Sequence, residues 1–160
     1  MATATMLQTL QNFVGERVME ILHILLVEDQ KYPRENLVSA LKLCGDGLLI
    51  DVAGWYTQTE AFVQSGCPYD VIFLDHRMPY DDPGCTDTED FDRFCDQLRN
   101  IGYGLIPLIC EYLPGAVIVG TSSLDPQELR GFKEPNFKMD KTNPWEEIPR
   151  VLKEIQCAKE

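Results

Sequence analysis

Tyr69 to Pro79 reads Tyr-Asp-Val-Ile-Phe-Leu-Asp-His-Arg-Met-Pro, and its centre constrains the fold more tightly than any other stretch. Val71 to Leu74 is an unbroken apolar run of β-formers with no polar alternation, the pattern of a strand buried on both faces. Such a strand belongs to a sheet covered on both sides. The run ends abruptly at Asp75, and Pro79 stops any continuation. A carboxylate at the end of a buried strand is costly unless it meets water, a metal or a partner. In open parallel α/β sheets the carboxyl ends of the strands are also where ligands bind. The plainer reading is that Asp75 caps the following turn.

The remaining sequence supplies the rest of such a sheet. Ile21 to Val27 predicts a buried strand that ends in Glu28-Asp29-Gln30. Arg34 to Leu43 predicts a helix with Leu37, Val38 and Leu41 on one face, stopped by Gly45. Leu48 to Ala53 is a second strand, and Thr57-Gln-Thr-Glu60 reads as a capping box opening a short helix that ends near Gly66. After the Val71–Leu74 strand comes an irregular stretch, Tyr80 to Asp87, then an expected helix from Thr88 to Asn100 with Phe91, Phe94, Cys95 and Leu98 inward. Leu105 to Leu113 is a further helical segment with Pro107 at its start. Ala116 to Gly120 is a fourth strand, ending at Thr121. Asp125-Pro126-Gln127-Glu128 signals another short helix, Asn136 to Asp140 a fifth strand, and Asn143-Pro144-Trp145-Glu146 a last helix facing inward through Ile148, Val151, Leu152 and Ile155.

Strands alternating with helices predict an α/β fold: a doubly wound, five-stranded parallel sheet with right-handed crossovers. Residues 1–20 form an extension to it, with Leu7, Leu10, Val14 and Val18 spaced as the stripe of an amphipathic helix. That helix either folds back on its own domain or pairs with a second copy to make a homodimer. Residues 21–160 form the one domain.

Composition narrows the function classes. Fourteen Lys and Arg against 26 Asp and Glu give a formal charge of −12. With no basic cluster, nucleic acid is an unfavourable partner. No apolar run is long enough for a bilayer and no signal-peptide pattern opens the chain, so a cytoplasmic protein without membrane contact is expected. The six cysteines carry no Cys-x-x-Cys pair and the chain has only two histidines, so a zinc site is not expected and most of the thiols read as reduced packing residues. Cys85 and Cys95, in a polar region, are the two with a conceivable redox role.

The residues just past each strand carry the chemistry. Glu28 and Asp29 stand after the first, Asp75 after the third, Thr121 after the fourth and Lys141 after the fifth, all at one edge of a doubly wound sheet. Three carboxylates together raise one another's pKa, and a hard divalent cation with oxygen ligands, Mg²⁺, relieves the repulsion. Lys141 supplies a point charge and Thr121 a hydroxyl donor, which suit a phosphoryl group beyond the metal. The set reads as a phosphoryl-transfer site with Asp75 as nucleophile.

The acidic pair Glu28-Asp29, Asp75 in Leu-Asp-His-Arg-Met-Pro, Thr121 and Lys141, in this order on these elements, resemble the receiver domain of two-component response regulators. The resemblance runs from about Ile21 to Ile155 and implies the flavodoxin-like, CheY-like strand order 2-1-3-4-5. It further implies that Asp75 accepts a phosphoryl group from a histidine kinase or histidine phosphotransfer protein. Asp29 and Asp75 would bind Mg²⁺ directly, the Arg77 backbone carbonyl would add a ligand, and Glu28 would act through water. Thr121 and Lys141 would contact the phosphoryl oxygens and switch binding to a downstream protein target. On this reading the protein is a phosphoacceptor with slow self-dephosphorylation and not an enzyme.

The sequence departs from that pattern in three places. Lys138 stands where receivers often carry an aromatic three residues before the lysine, with Phe137 one place earlier. Thr142, not Pro, comes after Lys141. Roughly fifteen extra residues separate Asp75 from Thr121, in the acidic Tyr80–Asp96 region and the Gly102–Pro114 segment. The acids there read either as a solvated loop and helix N-terminus or as a partner-specific surface. The rival function is a pseudo-receiver, an interaction module that switches without phosphate. An aspartate-nucleophile phosphatase is disfavoured because Arg77 stands where its second Asp is expected, and His76 points away from Asp75 by strand alternation. A flavodoxin-like nucleotide binder lacks its Gly-rich loop.

Overall fold

Strand β1 (Leu22–Val27) divides its side chains between two cores, as a pleated strand must. In the computed structural model, which describes residues 22–159, Ile24 and Leu26 enter one apolar cluster and Leu25 and Val27 the other. Strand β3 (Val71–Leu74) repeats the division, Val71 and Phe73 against Ile72 and Leu74, and all four are buried. The expectation of a strand covered on both faces holds.

The sheet is parallel and five-stranded. Strand β2 (Leu48–Ala53) pairs with β1 from Leu22↔Leu48 to Val27↔Ala53, and β1 pairs with β3 from Ile24↔Val71 to Val27↔Leu74. On the far side, β3 pairs with β6 (Val117–Gly120), and β6 with β7 (Phe137–Lys138), giving the order β2-β1-β3-β6-β7. Counting only these five strands, that is the expected 2-1-3-4-5. Helix α1 (Lys31–Cys44) and the C-terminal helix α5 (Pro144–Lys159) cover one face, where Leu37 and Leu41 meet Ile148, Val151 and Ile155. Helix α2 (Tyr56–Val63) and α4 (Ile106–Tyr112) cover the other, through Val63, Ile106 and Ile109. No helix among the described residues is long and apolar enough to cross a membrane. The amphipathic segment 4–20 and its self-association lie outside the described residues.

Several local expectations are corrected. The Thr57–Glu60 box does not form. Helix α2 starts at Tyr56 behind an extended Trp55, so Thr57 sits inside the first turn and gives its hydroxyl to Asp81 Oδ1 at 2.9 Å. Helix α1 begins at Lys31, three residues early, because the Asp87 carboxylate accepts the Lys31 N–H at 3.0 Å and Pro33 fits the first turn. The helix expected over Thr88–Asn100 contracts to α3 (Phe91–Cys95), N-capped by Asp90 accepting the Arg93 N–H at 3.2 Å. Leu98–Asn100 is instead strand β5, antiparallel to β4 (Arg77–Pro79), with Arg77↔Asn100 and Pro79↔Leu98 in register. Non-local pairing satisfies the backbone there, and Pro79 falls at a ribbon end where its missing donor costs least.

The helix expected at Asp125 is also absent. Asp125 Oδ1 accepts the Gln127 N–H and its carbonyl the Glu128 N–H, both at 2.9 Å, and the run of turns ends at Gly131, at φ 87°. Too few residues precede that glycine to propagate a helix past its nucleus. The β6–β7 crossover therefore runs through turns, and β7 is two residues long rather than five.

The ribbon β4–β5 returns to the sheet at Gly102, which opens a short 3-10 turn, Gly102–Leu105, leading into α4. Ile101 and Gly102 both donate to the His76 carbonyl, at 3.0 and 2.7 Å. A Cβ on Gly102 would fall on the Asp75 carbonyl oxygen, so only glycine permits this approach. Gly102→Ala is expected to lose about 1–3 kcal/mol in chemical denaturation, whereas Gly47→Ala, with open space around its Cβ position, serves as a silent control.

Candidate functional site

The carboxyl ends of β1, β3 and β6 and the segment after β7 converge as the topology requires. Three ladder-like hydrogen bonds carry the sheet past its formal ends: Glu28 N–H to the Ala53 carbonyl at 3.0 Å, Asp75 N–H to Val27 at 3.3 Å and Thr121 N–H to Leu74 at 3.0 Å. The first residue after each strand is thus held as rigidly as the strand. Glu28 is 0 %, Asp75 4 % and Thr121 1 % exposed, and Asp29 is also buried. Carboxylate oxygens of Glu28, Asp29 and Asp75 lie within 4.8 Å of one another.

Lys141 Nζ donates to Glu28 Oε2 and to Asp75 Oδ2, each at 2.9 Å. The second Glu28 oxygen accepts the Gln30 N–H at 3.1 Å, and Asp75 Oδ1 accepts its neighbour His76 N–H at 2.8 Å. Of the five predicted side chains, Glu28, Asp29, Asp75 and Lys141 therefore meet in one pocket, and Thr121 stands at the same sheet edge, its N–H tied to β3 beside Asp75. Arg77 lies apart in β4 with its side chain exposed. Because His76 is the residue whose carbonyl bonds across to β5, Arg77 falls at a non-hydrogen-bonded position of the ribbon and its carbonyl faces away from β5.

The electrostatics are unbalanced toward negative charge. Burial, then the charges of Glu28 and Asp75, push the Asp29 carboxyl up to about 9. Glu28 is likewise raised, by burial first and the Asp75 charge second, against the pull of Lys141. Burial alone would lower the Lys141 ammonium, but Asp75 and Glu28 more than offset it and hold it above its ordinary value. Three buried acids against one ammonium make a set that fits a hard divalent cation bound by oxygen. The Thr121 hydroxyl, buried without a hydrogen-bond partner among the described residues, is a second group that an anion at this sheet edge would satisfy.

Two features of the surroundings were not legible in the sequence. His76 does point away from Asp75. Its Nδ1 accepts the Tyr103 N–H at 3.0 Å, and its ring packs on Phe132 and Tyr103 at centroid distances of 4.5 and 4.8 Å. Tyr103 is itself buried, and burial pushes its hydroxyl up to about 12. Beside Asp29, the insertion walls a cleft of about 370 Å³ with Arg34, Trp55, Cys85 and Phe94. Its acids are not merely solvated: Asp81 and Asp87 pin it to the first turns of α2 and α1. Cys85 and Cys95 are half-buried and unpaired.

No family model and no curated protein matches this chain. Solved structures do. A response regulator receiver protein from Sinorhizobium medicae superposes with a TM-score of 0.66 at 17 % identity, over 89 % of this chain and 99 % of the other. The receiver domain of the histidine kinase CKI1 from Arabidopsis thaliana, solved with Mg²⁺ and BeF₃⁻, gives 0.60 at 18 % over 94 % and 95 %. A CheY-like receiver domain from Methylobacillus flagellatus gives 0.56 at 19 % over 85 % and 99 %. The chain has the fold of a response-regulator receiver domain.

The charge balance of the pocket has two measurable outcomes. Asp29 holds its proton in the folded state up to about pH 9 and loses it in the unfolded state near its ordinary 3.8. The unfolded chain thus releases this proton first, and the metal-free protein is expected to lose stability as pH rises between those values. A bound cation replaces the proton, so thermal melts should show Mg²⁺ stabilising far more at pH 8 than at pH 5. Thr121→Val removes an unpartnered buried hydroxyl and should leave stability unchanged or raise it by about 1 kcal/mol, measured by urea denaturation.

Proposed function

We propose that this protein is a phosphoacceptor receiver, in which Asp75 takes a phosphoryl group from a histidine kinase or histidine phosphotransfer protein with Mg²⁺ and thereby switches binding to a downstream protein. The observation that carries this reading is the buried trio Glu28, Asp29 and Asp75, the first and last bridged by one lysine, with the Thr121 hydroxyl left without a partner among the described residues. A merely structural ion pair would not bury two surplus acids beside it.

Asp29, Asp75 and the Arg77 carbonyl would hold the cation, with Glu28 reaching it through water. When bound, Mg²⁺ neutralises the carboxylates and the charge of the incoming phosphoryl oxygens. The chain's own groups do the positioning. The His76 N–H fixes Asp75 Oδ1, which leaves Oδ2 as the attacking atom. As Oδ2 forms its bond to phosphorus, the P–N bond to the donor imidazole breaks and the imidazole keeps the electron pair. Lys141, already 2.9 Å from Oδ2, exchanges a carboxylate for a phosphoryl oxygen without leaving the pocket. The Thr121 hydroxyl gains the acceptor it lacks. Its backbone N–H is tied to β3, and the segment after it runs through turns up to β7, so a turn of the hydroxyl toward the phosphoryl group would be passed to that segment. Attack of water on the acyl phosphate would slowly reset the site.

A pseudo-receiver is the second reading. It draws support from Lys138 in place of the aromatic and from the β6–β7 crossover, which has no helix to reposition. The two readings separate on intact mass after incubation with acetyl phosphate and Mg²⁺. Gain of one phosphoryl mass, lost in Asp75→Asn and without metal, supports the phosphoacceptor. No gain, together with an amide spectrum that ignores beryllofluoride and Mg²⁺, would move the assignment to the pseudo-receiver.

A further inference from the structure

The opposite end of the sheet holds a second cluster that the acidic pocket does not involve. His23, near the start of β1, Asp51 in β2 and Cys67 in the turn before β3 bring an imidazole, a carboxylate and a thiol within 4.8 Å of one another. We propose that these three residues form a zinc site, with water as the fourth ligand.

The ligand set is the first argument. Thiolate, imidazole and carboxylate are the donors zinc takes in tetrahedral sites, whereas the all-oxygen pocket at the other end suits a harder ion. Spacing is the second. Zinc's bonds to nitrogen, oxygen and sulfur set tetrahedral ligand atoms about 3.4–3.6 Å apart. His23 Nε2 lies 3.6 Å from Cys67 Sγ, at that spacing, and 3.0 Å from Asp51 Oδ2, a contact that opens by about 0.4 Å to admit the ion.

The third argument is that hydrogen bonding accounts poorly for the sulfur. Cys67 Sγ lies 3.2 Å from Nδ1 and 3.6 Å from Nε2 of the same ring. A donor aimed at one lone pair would be far from the other nitrogen, so the sulfur rests against the ring face, outside the direction a hydrogen bond prefers. A turn of the imidazole about its Cβ–Cγ bond, with a matching shift of the thiol, would aim one nitrogen and the sulfur at a shared ion.

The surroundings are those of a built site. The Tyr69 hydroxyl donates at 2.6 Å to Asp51 Oδ2, the oxygen that also faces His23, and so fixes the ligand atom's position. His23 and Asp70 lock the strand starts: His23 N–H bonds the Asp70 carboxylate and Asp70 N–H the His23 carbonyl, both at 2.8 Å. The His23 and Asp51 side chains are 19 % and 39 % exposed, which leaves an entry path and room for the water.

Cobalt(II) titration of the full chain tests the assignment, since only a thiolate ligand gives a sulfur-to-cobalt charge-transfer band. One equivalent should produce that band with intense tetrahedral d–d absorption, and one equivalent of Zn²⁺ should erase both. Cys67→Ser should abolish the spectrum, Tyr69→Phe should weaken the affinity about 10–100-fold, and Cys110→Ser should match the parent. Affinity should rise with pH, because binding displaces protons from thiol and imidazole. Zinc should also raise the melting temperature of the parent and not of Asp51→Asn, a variant close in size and shape to the parent. Absence of the thiolate band, its survival in Cys67→Ser, or an equal zinc effect on the Asp51→Asn melt would overturn the site.

Discussion

Lys141 is the contact on which the carboxyl edge of this sheet depends. Its ammonium touches acids from two strands, Glu28 after β1 and Asp75 after β3, and it arrives from the segment after the edge strand β7. Without it, Glu28 and Asp75 would face each other in low dielectric beside an Asp29 that already holds its proton, and the cheapest response would be further protonation or local opening. With it, the pocket persists in a metal-free chain while remaining short of positive charge. That residual imbalance makes the pocket a binding site and not a closed ion pair.

The architecture around that contact was legible wherever packing decides structure. Runs such as Ile24–Val27 and Val71–Leu74 have no polar face, so only a sheet covered on both sides can hold them. Chain order then places Glu28, Asp29, Asp75, Thr121 and Lys141 at one edge. Legibility failed where a distant residue overrides a local signal. The Thr57–Glu60 spacing is that of a capping box, but Asp81, twenty-four residues on, takes the threonine hydroxyl. Leu98–Asn100 continues a helical pattern, yet pairing with Arg77–Pro79 satisfies its backbone better. Nothing local to either segment announces the other.

The cluster of His23, Asp51 and Cys67 was invisible for the same reason. No two of its members are close in sequence, and parallel pairing alone brings them together, with β1 central between β2 and β3. A cysteine count searches for ligands along the chain; this fold collects them across it. The two ends of one sheet thereby differ in chemistry, hard oxygen donors at the carboxyl end and mixed sulfur, nitrogen and oxygen donors at the amino end.

The ribbon β4–β5 leaves the sheet immediately after Asp75 and His76 and returns to the same His76 carbonyl at Ile101 and Gly102. Entry and exit are therefore adjacent, and the residues between them form a closed excursion whose ends are fixed independently of its length. Loop-closure entropy grows only slowly with added residues. A chain built this way can exchange or extend the acidic tip of the excursion while the nucleophile's backbone stays where it is. Variation in whatever meets the tip is thus insulated from the chemistry at its base, as an interchangeable head is from the tool that carries it.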